Sequence, residues 1–327
     1  MEITAGGLLE IRITPADVGK RVSVRRVEGG RSDAPAFLDT VGVLTSWTGG
    51  VLTITRKDGV SVHIPESSLV AGKTVPPAPA RRRGPAASFE ELTRVGARAW
   101  QPLESEPLGE WVLRAAGGFT RRANSVLPSG DPGIPVEEAL ARVTAWYAER
   151  GLPAYVQAAT GALGTQELLC AELEGRGWDR EVSAEVRIGA LAPVGDIDTD
   201  VAQVRLTREP DADWLGRYGR VRDPELARRV LVAGPSVWFA SLGAGRAIGR
   251  CVVDGRWAGF AAVTVDPEYR RRGLATAVMA ALARRALEEG ASAAWLQVEA
   301  DNPGARALYE GMGFATHHTY HHFRAGR

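Results

Sequence analysis

Cysteine is scarce in this chain. Its 327 residues include two, Cys170 and Cys251, far apart in sequence and without metal-ligand spacing. That argues against a disulfide-stapled fold and a thiolate metal site, and both are read as core thiols in a helix and a strand. Net charge is equally scant, since 40 Lys and Arg against 39 Asp and Glu leave +1. No general electrostatic pull toward nucleic acid or an anionic membrane is expected. No apolar run approaches the roughly 20 residues that span a bilayer. The opening MEITAGGLLEIRITPADVGK lacks the basic-then-apolar order of a signal peptide. The expected location is therefore cytoplasmic, with no membrane partner. Histidine is rare too, and four of the five fall in HHTYHHF, at His317, His318, His321 and His322. Strand alternation divides them between two faces with no interleaved cysteine or acid, so no metal is expected. Pocket lining or proton relay is their functional reading.

What is present is globular: 45% hydrophobic and 24% charged residues, on a chain long enough for two or three compact units. From Gly19 to Val70, short β-rich runs (RVSVRRV, VGVLTSW, VLTITR, VSVHIP) alternate with turn signals at Thr48-Gly49-Gly50 and Asp58-Gly59. This predicts a small antiparallel β-barrel over residues 1–75. VPPAPARRRGPAAS reads as a stiff, solvated linker over 76–88. Its Arg81, Arg82 and Arg83, without interleaved aromatics, are weak grounds for nucleic-acid docking.

Beyond the linker, strands alternate with helices and a weak repeat emerges. EGRGW (Glu174–Trp178) answers EGMGF (Glu310–Phe314), each preceded by a glutamine-bearing strand (Gln157, Gln297) and, at nearly equal distance, by a Gly-Phe pair (Gly118-Phe119, Gly259-Phe260). Both halves read as helix, two strands, long helix, strand, short helix, glycine turn and strand. The first is expected over 89–192 and the second over 200–327.

The chemistry concentrates in WAGFAAVTVDPEYRRRGLATAVMAALARRALEEG. GFAAVTV is an apolar strand, Pro267 ends it, and apolar residues recur at helical spacing from Leu274 to Leu287 before Gly290. Free amides at that helix start are joined by Arg270, Arg271 and Arg272 and by Gly273, which permits close approach. Such a place favours a phosphate. Here the sequence resembles the GNAT acetyltransferase superfamily, whose pyrophosphate loop runs Arg or Gln, two residues, Gly, one residue, Gly or Ala; Arg270, Gly273 and Ala275 fill it. The resemblance implies that the backbone around Arg271, Arg272, Gly273, Leu274, Ala275 and Thr276 cradles the pyrophosphate of acetyl-CoA. It also implies that Val263, Thr264 and Val265 pair with the pantetheine arm.

A second signature of the superfamily follows in DNPGARALYEGMGF, where Asn302, Ala305, Tyr309, Gly313 and Phe314 match order and spacing. By resemblance, Asn302 bonds the pantetheine and Tyr309 lies near the coenzyme sulfur, where a phenol can donate a proton to the departing thiolate. Ribosomal-protein alanine acetyltransferases carry a glutamate where this chain has Gln297. Glu299, two residues on and on the same strand face, is the substitute base. In the first half PSGDPGIPVEEAL replaces the cationic loop and Leu173 replaces the tyrosine, so no chemistry is expected there. GGFTRRANSV, with Arg121, Arg122, Asn124 and Ser125, is polar for a strand and is read as either a substrate-recognition element reaching the cleft or a solvated edge.

The fold class expected is α/β of the α+β type: two tandem GNAT-like mixed-sheet units behind a small antiparallel barrel. That plan resembles a tandem-GNAT subfamily with an N-terminal Src-homology-type barrel. It implies an N-acetyltransferase moving an acetyl group from acetyl-CoA to an amine acceptor: a small molecule, a lysine or a protein N-terminus. A non-catalytic acetyl-CoA sensor or scaffold is the alternative, and a mycothiol-synthase-like enzyme a minor one.

Overall fold

A computed structural model of the chain describes residues 10–28, 36–76 and 84–326. The linker arginines Arg81, Arg82 and Arg83 lie outside the described residues. The chain divides into two compact units, residues 1–80 with 158–177, and residues 81–157 with 178–327.

The first unit holds an antiparallel sheet of β1 (Arg21–Glu28), β2 (Ala36–Thr48), β3 (Val51–Thr55), β4 (Ser61–Pro65) and β5 (Leu69–Thr74), in the order β4-β3-β2-β1-β5. The β2–β3 turn is the one the sequence marks: Gly49 and Gly50 both adopt positive φ, as a two-residue hairpin turn requires. β5 was not legible, because LVAGKT lacks alternation. Val22, Val24, Leu44, Leu52, Ile54 and Ile64 form its core.

The second unit begins with α1 (Phe89–Ala99), which Ser88 caps by accepting from the Glu91 N–H at 3.0 Å. β6 (Glu104–Leu108), β7 (Trp111–Ala115) and β8 (Leu127–Pro128) make a small sheet of their own. Then follow α2 (Val136–Glu149), β9 (Tyr155–Thr160), α3 (Glu167–Gly175, within the first unit), β10 (Asp179–Ala190) and α4 (Ala192–Gly195). The second half comprises β11 (Val204–Thr207), α5 (Ala212–Tyr218), α6 (Pro224–Val232), β12 (Ser236–Leu242), β13 (Ala247–Asp254), β14 (Trp257–Val265), α7 (Leu274–Glu288), β15 (Ala293–Glu299), α8 (Pro303–Gly311) and β16 (Ala315–Arg324). The fold is thus mixed α/β; in the run that leads into its long helix each half carries three strands (β6–β8, β12–β14) where the sequence reading expects two.

The halves do not build separate sheets. One eight-stranded sheet runs β11-β12-β13-β14-β15-β10-β16-β9, and β10 of the first half lies between β15 and β16, antiparallel to both. A first-half strand therefore completes the second half's sheet. The segment GGFTRRANSV also departs from expectation. It is a loop with a single 3-10 turn at Arg121–Ala123, and Thr120 takes φ 57°, which breaks the β conformation that the flanking apolar residues suggest.

α7 covers one face of the sheet with Val278, Met279 and Leu282, packed with Phe260, Leu296, Tyr309 and Phe314. Cys170 in α3 and Cys251 in β13 are buried thiols outside any disulfide, and burial pushes Cys251 up to about 12.

Candidate functional site

The site begins where two parallel strands part. β14 pairs with β15 from Trp257↔Ala293 to Phe260↔Leu296, yet β14 continues to Val265 and β15 to Glu299. A bulge drives the divergence: Ala262 has φ 55°, and the register against β13 shifts between Ile248 and Arg250. Bulges bend a strand and end its pairing. Among the described residues, no strand pairs with the β15-side edge of Val263, Thr264 and Val265, which can receive an extended chain.

The loop after β14 leads to α7. Gly273 is its N-cap, with φ 76° and no side-chain cap; nothing lies within 4 Å of where its Cβ would be. The first intrahelical bond runs from the Ala277 N–H to the Gly273 carbonyl. The N–H groups of Leu274, Ala275 and Thr276 thus have no helical acceptor. The first turn carries no acid, and Arg270, Arg271 and Arg272 are exposed beside it. α2, at the equivalent place in the first half, carries Glu137 and Glu138 in its first turn, so the positive end of its dipole is already compensated.

α8 brings the second signature to the same side. Asn302 is its N-cap, accepting from the Ala305 N–H at 3.0 Å through Oδ1, which leaves its amide N–H groups free to donate. Tyr309 is 8% exposed, edge-on to Phe314 at 6.1 Å, and burial pushes its phenol up to about 12. Glu299, at the end of β15, faces a cleft of about 910 Å³ and lines it together with Arg121, Arg122, Asn124, Arg220, Tyr320 and His322. Arg121, Asn124 and Glu299 thus line one cleft, while Gln297, Asn302, Tyr309 and the loop residues 270–276 are not on this lining. Asn124 sits in the cleft wall with its amide consumed. Its Oδ1 accepts from Ala116 and Gly118, and its Nδ2 donates to Phe119 and Thr120, so it shapes the loop.

Residues 87–323 match the family described as "Probable histone acetyltransferase Rv0428c C-terminal". The chain belongs to this family. It is 27% identical over 307 residues to "Probable histone acetyltransferase Rv0428c" of Mycobacterium tuberculosis, covering 92% of this chain and 93% of that one. Among solved structures it resembles a GCN5-related N-acetyltransferase from Kribbella flavida, with TM-score 0.56, 16% identity and 74% and 97% coverage. It also resembles a tandem GNAT protein from the clavulanic acid biosynthesis pathway, with TM-score 0.50, 12% identity and 75% and 90% coverage. The fold is that of a GCN5-related N-acetyltransferase in tandem form, and the relatives place the chain among acetyltransferases.

In this family member, sequence reasoning missed Tyr155, Tyr218 and Arg220, which line the cleft from a strand start, a helix end and a loop. No periodicity marks such positions. Arg121, which it singled out, is paired with Glu181 at 2.7 Å, and Tyr155 donates to the same carboxylate. Arg122 donates from Nε to the Tyr320 hydroxyl at 3.1 Å, and its guanidinium lies over Trp100 at 5.4 Å.

Of the β16 histidines, His318, His321 and His322 are buried and His317 is half-buried. Among the described residues, no group of three His, Cys, Asp or Glu is disposed to hold an ion. His318 meets the Phe89 ring at 5.0 Å and the His317 Nδ1 at 2.8 Å, while His321 Nδ1 lies 2.7 Å from Ser183 Oγ. Burial, then His317 and His321, push His318 down to about 3; burial, then Arg180, push His321 to about 3. Both stay neutral in the folded chain and protonate near 6.5 once it unfolds. The unfolded state therefore binds more protons below that pH, and stability falls as pH falls from 6.5 toward 3. At about 1.4 kcal/mol per pH unit for each group, these two make unfolding at pH 5.0 need at least about 4 kcal/mol less than at pH 7.5, and His322, also held well below its ordinary value, acts in the same direction. Urea titrations at the two values measure it, and equal stabilities would contradict the neutral burial.

Proposed function

We propose that the chain is an acetyl-CoA-dependent N-acetyltransferase acting through its second half. The observation that carries this is the parting of β14 and β15 beyond Phe260 and Leu296, beside the uncapped start of α7. The residues present fit the coenzyme. Amides of Leu274, Ala275 and Thr276 with Arg270, Arg271 and Arg272 would hold the pyrophosphate, Val263–Val265 and Asn302 the pantetheine arm. Acetyl-CoA, when bound, supplies an activated thioester carbonyl.

Glu299 takes the proton that the acceptor amine must lose as its nitrogen attacks that carbonyl. Tyr309 acts on the sulfur as the carbon–sulfur bond breaks. With its phenol near 12, full transfer to a thiolate of ordinary pKa, about 8.5, would be uphill by about 5 kcal/mol. Tyr309 would therefore donate a hydrogen bond to the charge that develops on the sulfur, leaving solvent as the source of the proton. The first half is read as a supporting, non-catalytic GNAT-like half, and the N-terminal sheet as a small Src-homology-type barrel.

Thiol release from acetyl-CoA across a panel of small amines, peptides with lysine and peptides with free N-termini tests the reading. Turnover with at least one amine, and the acetylated product found by mass, is expected. Tight coenzyme binding with no turnover on any amine would instead make the chain an acetyl-CoA sensor.

A further inference from the structure

The cleft that receives Glu299 is unbalanced in charge. Four arginines (Arg121, Arg122, Arg220, Arg222) line it against two carboxylates, Glu299 and Asp223. The carboxylates on or next to the cleft already have partners. Asp223 caps α6 by accepting from the Glu225 and Leu226 N–H groups, Glu181 holds Arg121 and Tyr155, and Arg220 stands 3.7 Å from Glu299. Arg122 has no carboxylate. Its one hydrogen bond among the described residues spends Nε on Tyr320, and its position over the buried Trp100 ring fixes the plane of the guanidinium while leaving both terminal nitrogens unpartnered.

Two further observations deepen the imbalance. His322 is 3% exposed, lines the same cleft and, among the described residues, finds no hydrogen-bond partner for either ring nitrogen. Tyr320 stands edge-on to it at 5.4 Å and Tyr155 at 6.2 Å. A buried polar group without a partner costs about 1–3 kcal/mol, which a bound acceptor atom would offset. Burial, then Arg122, Arg114 and Arg121, keep this imidazole neutral, so it neither adds to the positive charge nor cancels it. Behind it Arg114 is buried, donating only to uncharged groups: the Ser125 carbonyl and hydroxyl and the Gln157 side chain. Guanidinium groups without carboxylates, in a partly desolvated cleft, are suited to an oxyanion, which the planar fork can bind bidentately.

We infer that the acceptor is a small molecule bearing both an amine and an oxyanion, the oxyanion docking on Arg122 in the His322-lined part of the cleft and the amine lying at Glu299. The volume, about 910 Å³, suits a compact ligand. The excess of arginine disfavours a lysine-rich chain, whose charges it would repel. This rests on the acetyltransferase reading above.

The test uses the full chain and matched acceptors: free amino acids, their carboxamides, aminoalkyl phosphates and a lysine-rich peptide. Acceptors with an oxyanion should show kcat/KM at least about 10-fold above their neutral counterparts, and the carboxylate and phosphate arms decide which oxyanion fits. Arg122→Gln should raise KM for oxyanion acceptors about 10-fold or more while leaving carboxamides and coenzyme affinity alone; Arg122→Lys should restore part of the loss. Preference for carboxamides or for the peptide would overturn the inference, as would an equal KM rise for charged and neutral acceptors. If no amine is turned over, the acetyltransferase reading has failed by itself. Calorimetric binding of the same acceptors to the coenzyme-loaded chain then decides: tighter binding of oxyanion acceptors to wild type than to Arg122→Gln sustains the inference, and no difference sinks it.

Discussion

Replacing Tyr309 by phenylalanine is expected to lower kcat by about 100-fold, the usual scale for losing one preorganised hydrogen-bond donor to developing charge, while coenzyme affinity stays unchanged. The ring packs with Phe260, Leu296, Met312 and Phe314, and phenylalanine preserves that packing. The hydroxyl has no hydrogen-bond partner among the described residues, so its removal strands no other group. What is lost is the donor aimed at the leaving sulfur. The raised phenol adds a signature: protonated until about 12, Tyr309 should contribute no falling limb to the pH–rate profile between pH 7 and 10. Steady-state kinetics of the two proteins over that range measure both effects. Equal kcat would reduce Tyr309 to a core residue.

How much of this was legible in the sequence depends on how local each signal is. The strand, loop and helix from Trp257 to Glu288 were readable because apolar periodicity, Pro267 and Gly273 act over a few residues. α7 begins at Leu274 as the pattern implies. The cap by Asn302 and the glycine turn at Gly313, with φ 89°, are local in the same sense. The insertion of β10 between β15 and β16 was not legible, since it depends on which strand edges meet after folding, and both half-sequences read as self-contained units. The same holds for the cleft. Arg121 and Arg122 are equivalent in sequence, but one faces Glu181 and the other Tyr320 and Trp100. Asn124 looked exposed by composition and is buried by its four hydrogen bonds.

The central claim is that one coenzyme binds at the start of α7, and Gly273→Asp is the variant that attacks it. Aspartate tolerates the left-handed conformation better than most residues, and a Cβ there meets open space, so folding should be destabilised by about 1–2 kcal/mol at most. The new carboxylate, however, lies at the positive end of α7, where it takes up the amides of Leu274, Ala275 and Thr276 and repels the pyrophosphate. Losing two or more charge-assisted hydrogen bonds, at about 1.5–3 kcal/mol each, should cost 100-fold or more in affinity. In the first half, Glu137 and Glu138 already occupy the first turn of α2, and Leu173, fully buried, replaces the tyrosine, so no second coenzyme should bind. Calorimetric titration of acetyl-CoA into wild type and Gly273→Asp, with melting curves to confirm folding, tests this directly. The expected result is one site per wild-type chain and no measurable heat for the variant. Unchanged affinity in a folded Gly273→Asp, or two sites per chain, would contradict it.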